Sequence, residues 1–162
     1  MNMTHYMELL ATNQPWNLII FMAIPVVLAE TLAITELYIL FTRNFKGQIR
    51  KINKIAGVIA GFYFLIIFLH LLSKAVIPIT LGGQWRTIID VIAVSFYLLG
   101  VVPLLGISLL EIGAIWRNKT EEWKLGTHAI FVAICLVVAH VAMVFGMLNP
   151  SLLDATTHLH QM

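Results

Sequence analysis

Four uninterrupted apolar runs, approximately residues 18–41, 55–81, 88–116 and 127–148, constrain this chain more than any motif. A hydrocarbon layer roughly 30 Å thick is crossed by about 20 helical residues, and each run is long enough. Inside lipid the backbone must satisfy its own hydrogen bonds, which leaves only helices or a closed barrel. Barrel strands are short and alternate in polarity, whereas these runs are apolar at nearly every position. The sequence therefore predicts an all-α integral membrane protein, with residues 1–162 forming a single domain of four transmembrane helices. Composition agrees: 60% of residues are hydrophobic and 11% charged, where a soluble domain carries about a quarter charged residues.

The cations set the expected orientation. Arg43, Lys46, Arg50, Lys51 and Lys54 fall in the first loop and Arg117, Lys119 and Lys124 in the third, leaving only Lys74 and Arg86 toward the other side. By the positive-inside rule those two loops face the cytoplasm and both termini lie outside, periplasmic or extracellular. Trp16 and Trp85 then mark the outer interface and Trp116 and Trp123 the inner one. Short connections predict an up-down-up-down bundle in a cell inner membrane. Pro25, Pro78 and Pro103 lie within the runs and are expected to kink or end helices. The first run, which contains Glu30 and Glu36 and lacks a basic leader, reads as a retained span rather than a cleaved signal.

Several functional classes drop out. A net charge of +2 without a basic aromatic groove argues against nucleic acid as a partner. The single cysteine, Cys135, cannot form an internal disulfide and belongs to no zinc pattern. The partners expected are the lipid bilayer, a quinone or other redox partner, and further copies of the chain.

Ionisable residues inside a membrane are costly and by default functional. Here they fall into two tiers. At about 1.5 Å per helical residue, His70 and His140 stand level, roughly 20 Å from the inner ends of their helices, with Glu30 near the bilayer middle. Glu36 and Glu111 lie closer to the cytoplasm, about 8 Å from their helix ends, with His128 at the start of the fourth run. Glu30 and Glu36 are separated by about 120° around their helix, as are His128 and His140, so neither pair shares one stripe. Each such residue also has a plain role available, as a neutral hydrogen-bonding group that fixes helix packing.

Two level histidines on the second and fourth helices suit the axial positions of a haem b, with Gly57, Gly61 and Gly100 as room for the macrocycle. The same imidazoles with Glu30 also suit a bare iron, copper or zinc ion. Met3, His5 and Met7 at one terminus and His158, His160 and Met162 at the other carry soft ligands fit for copper at the outer surface. The leading expectation is a redox or electron-transfer protein, quinol-linked, holding a haem or metal through His70, His140 and Glu30. Glu36, Glu111 and His128 would exchange protons with the cytoplasm or form a second site. The alternatives are a small permease or a metal-ion or proton-coupled transporter using the same residues, and a noncatalytic subunit of a larger membrane complex.

Overall fold

A computed structural model describes Glu8, residues 11–85 and residues 87–148. Among the described residues, four helices are long and apolar enough to cross a membrane: α1 (Trp16–Thr42), α2 (Gln48–Leu81), α3 (Ile88–Glu111) and α4 (Glu121–Met147). There is no strand among the described residues.

The helix ends depart from the apolar runs where charged residues continue a helix or local backbone stops it. α2 begins at Gln48 rather than near 55, because nothing between Gln48 and Lys54 breaks a helix. Arg50 and Asn53 in this turn are held by other helices. α3 stops at Glu111 instead of running to 116, since Gly113 (φ 76°) and Trp116 (φ 50°) take left-handed conformations that end it. α4 starts at Glu121 rather than 127. The Thr120 hydroxyl accepts from the Trp123 amide, and Glu121 and Glu122 occupy the first turn, where negative charge complements the helix dipole.

The prolines act as their chemistry requires. Ile19–Ala23 in α1 and Leu72–Val76 in α2 widen into π-turns just before Pro25 and Pro78. In the first, the Ile24 amide reaches back to the Ile19 carbonyl. The next carbonyl, Ile20, would then need an amide from Pro25, which has none, and the Phe21 carbonyl would need the same amide in an α-turn. Two tyrosines replace it: Tyr63 Oη donates to Ile20 O at 2.9 Å, and Tyr97 Oη donates to Phe21 O. α3 is interrupted at Gly100, just before Pro103.

Two apolar layers fill the bundle. One contains Phe21, Ile67, Leu71, Ala75, Ile79 and Leu98, and the other Leu32, Ala56, Ala60, Phe64, Leu104, Ile107, Val132 and Cys135. The helices α2 and α3 come close at Gly61, where a Cβ would lie 2.1 Å from Ser108 Oγ and 2.4 Å from the Leu104 carbonyl. Only a glycine admits α3 there. The approach lets Ser108 Oγ reach the Gly57 and Val58 carbonyls, each at 2.9 Å. The three glycines that a haem would have used for room divide accordingly: Gly57 and Gly61 face α3 directly, and Gly100 packs near the Phe64 ring.

Candidate functional site

Beyond the second apolar layer, the end of α1, the start of α2, the end of α3 and the start of α4 converge on one buried polar network. Its members are Thr35 and Glu36, Arg50 and Asn53, Glu111, and His128. All except Arg50 are buried, and His128 and Asn53 are fully so. Glu36 and Thr35 are adjacent on the inward face of α1. Arg50, Asn53 and Gly57 recur at helical spacing on α2, in line with Ala60, Gly61 and Phe64, so the face that packs the core also carries the polar groups.

His128 is the centre. Its Nδ1 lies 2.6 Å from Glu36 Oε2 and its Nε2 lies 3.6 Å from Glu111 Oε1. Neither ring nitrogen makes an aligned hydrogen bond, and Glu36 Oε1 is likewise buried without a partner. Gly57 sits beneath the ring, and a Cβ there would meet Ile107 Cγ2 at 2.8 Å and His128 Nε2 at 3.4 Å. The imidazole thus fits between α1 and α3 because α2 presents no side chain at that point.

Arg50 closes the network toward the helix ends. It holds Glu111 in a two-pronged pair, Nη1 to Oε1 at 2.6 Å and Nη2 to Oε2 at 3.1 Å, and Nη1 also donates to Asn53 Oδ1 at 2.9 Å. The Asn53 amide donates in turn to Thr35 Oγ1 (2.9 Å) and Glu36 Oε2 (3.1 Å), so both carboxylates are tied to one guanidinium, directly or through Asn53. The Thr35 hydroxyl donates its own hydrogen bond to the Thr31 carbonyl at 2.6 Å. Since Asn53 Oδ1 must accept from an arginine, the amide orientation follows from the network itself.

Exposure grades along this line. Side-chain accessibility is 62% at Glu121, 11% at Arg50, 3% at Glu111 and zero at His128. Glu121 Oε2 stands 3.9 Å from Arg50 Nη2, and its Oε1 pairs with Lys124 at 3.2 Å. The cluster has a route to water on this side and the apolar layer on the other. With both carboxylates ionised and Arg50 charged, the buried groups sum to −1.

The two tiers expected from depth counting meet different fates. Glu36, Glu111 and His128 are brought together. Glu30, His70 and His140 are each exposed on the outer faces of their helices. The His70 ring stacks on Phe21 (centroids 5.8 Å apart, planes at 21°), and His140 Nδ1 lies 2.6 Å from the Leu136 carbonyl of its own helix. No hydrogen bond or ion pair joins any two of these three. Among the described residues, no group of three or more His, Cys, Asp or Glu is placed to hold a metal ion. Met3, His5, Met7, His158, His160 and Met162 lie outside the described residues. Sequence reasoning assigned Arg50 to a loop as a topology marker and passed over Asn53 and Thr35. The available signal was the spacing of residues 50, 53 and 57, which continues the inward stripe of α2.

The family model described as "Family of unknown function (DUF6803)" matches residues 1–162. The chain belongs to the DUF6803 family. No curated protein and no solved structure matches it. The chemistry of this DUF6803 chain has therefore to be read from the network itself. An imidazole between two carboxylates from different helices can take a proton at one nitrogen and release one from the other.

Proposed function

We propose that the protein is a small proton-coupled membrane transporter in which Glu36, His128 and Glu111 form the proton-binding site. One observation carries this reading: a fully buried imidazole whose two nitrogens each face a carboxylate on a different helix. The Nδ1 contact is short enough for transfer and needs only to align, and the Nε2 contact needs to close by about half an ångström as well. A proton arriving at Glu111 moves to Nε2, and the proton on Nδ1 moves to Glu36. The protein ends with the same charge and the proton one helix further in.

The coupled solute is a small cation. A recess within the second apolar layer, lined by Ala29, Leu32, Leu104, Val132, Cys135 and Leu136, offers no polar group to an organic solute. In the membrane the four helices run up-down-up-down with both termini outside. The basic segments around residues 43–54 and 117–124 then lie at the cytoplasmic face, where Arg50 meets Glu111. The network would load protons from that side.

The reading is tested in proteoliposomes enclosing a pH-sensitive dye, with outward gradients of potassium, sodium or a divalent cation imposed in turn. Proton flux dependent on one of these gradients is expected, lost in His128→Ala and Glu36→Gln and retained in His140→Ala. Absence of protein-dependent flux under every gradient, or equal loss in all three variants, overturns it.

A further inference from the structure

Resting on that reading, we propose that Arg50 is the gate of the proton site, its guanidinium moving from Glu111 to Glu121 when Glu111 takes up a proton. The same oxygen, Glu111 Oε1, faces both Arg50 Nη1 at 2.6 Å and His128 Nε2 at 3.6 Å. It cannot carry a proton for His128 and keep its short contact with Arg50. When a hydronium from the exposed side protonates Glu111, one of its O–H bonds breaks, water leaves, and the O–H bond formed at Oε1 leaves the carboxyl neutral. The two-pronged ion pair then has no anion. Arg50 keeps its charge at any accessible pH and must find another carboxylate or water.

A carboxylate is already in place. Glu121 Oε2 is 3.9 Å from Arg50 Nη2, at the first turn of α4, mostly exposed, and held on its other oxygen by Lys124. Moving to it shifts the guanidinium outward, along the gradient of exposure, and opens Glu111 to water. Once Glu111 has passed its proton on to His128 Nε2, the buried anion draws Arg50 back and the site is shut. The charged and titratable groups facing this event, from every helix packed on it, are Glu36 of α1, Arg50 of α2, Glu111 of α3, and Glu121, Lys124 and His128 of α4. Asn53 couples the movement to Glu36, because its Oδ1 is held by Arg50 while its amide donates to Glu36 Oε2.

The experiment is arginine-selective modification with phenylglyoxal on the full chain in nanodiscs, read by mass spectrometry as Arg50 modification divided by that of exposed Arg43 in the same sample. The ratio cancels the reagent's own pH dependence. A several-fold rise in the ratio is expected on acidification of the unmutated chain. A similar rise is expected at neutral pH in Glu111→Gln, which mimics the protonated carboxyl, and Glu121→Gln should blunt the acid response. Titration of His128, followed by nitrogen NMR of histidine-labelled protein, separates the two claims. A His128 that titrates while the Arg50 ratio stays flat overturns the gate and leaves the proton site standing. A His128 that does not titrate overturns the site and the gate together. Should Glu111→Gln fail to fold, the acid response of the unmutated chain decides alone.

Discussion

Replacing Arg50 by Met removes the cation that holds Glu111 in the buried network. The substitution deletes two bonds to Glu111, at 2.6 and 3.1 Å, and one to Asn53 at 2.9 Å. It leaves a carboxylate with a side chain only 3% exposed. Removing one partner of a buried ion pair costs about 3–5 kcal/mol, because the survivor stays desolvated and unpaired. That is roughly two to four orders of magnitude in the folded-to-unfolded ratio. The double variant Arg50→Met/Glu111→Leu should return to within about 1 kcal/mol of the unmutated chain, since neither charge then has to be buried and Glu36 keeps His128. The assay is reversible unfolding in mixed micelles, followed by tryptophan fluorescence. Trp116 and Trp123 pack edge to face at 5.2 Å, where α3 ends and α4 begins. A single variant as stable as the unmutated chain would refute the reasoning. So would a double variant no better than the single one, because the cost would then belong to packing rather than to the stranded charge.

Three further outcomes are expected. Gly61→Ala should cost about 1–3 kcal/mol and loosen α2 from α3, since its methyl would meet the Leu104 carbonyl at 2.4 Å as well as Ser108; an unchanged unfolding midpoint would show that the spacing is not needed. Tyr97→Phe should cost about 1–3 kcal/mol by stranding the Phe21 carbonyl that Pro25 cannot serve, and wild-type stability would mean that another donor takes over. The purified chain should show no Soret band and no α-band on dithionite reduction, because His70 and His140 sit on exposed faces with contacts of their own. A reduced haem spectrum lost in both His70→Ala and His140→Ala would restore the redox reading.

Depth along the helices was legible because it depends only on counting. Glu36, Glu111 and His128 could be put on one level from their distance to the run ends, and that level is where they meet. The same counting put His70 and His140 level as well, and here it misled, since equal height says nothing of direction. A rotation of a helix by one residue, about 100°, exchanges a lipid-facing side chain for a buried one without changing its depth appreciably. α1 shows how little the residues announce this: it is apolar almost all round, yet Glu30 points out and Glu36 in. Arg50 and Asn53 were hidden for a different reason. Hydropathy ends a span where charge begins, so the polar first turns of α2 were read as loop although they extend the helix into the site.

Four helices long and apolar enough to span a membrane, and the prolines that disturb them, followed from sequence alone, because a bilayer admits few backbone solutions and a proline lacks its amide wherever it stands. The pairings came only with the tertiary structure. Gly61 sets how near α3 can come, and Gly57 leaves the hollow in which His128 lies. The π-turn before Pro25 turns two carbonyls toward Tyr63 and Tyr97. Which acids face the imidazole, and which arginine closes over them, depends on helix rotation and contact distance, and neither is written in the hydropathy of any one helix.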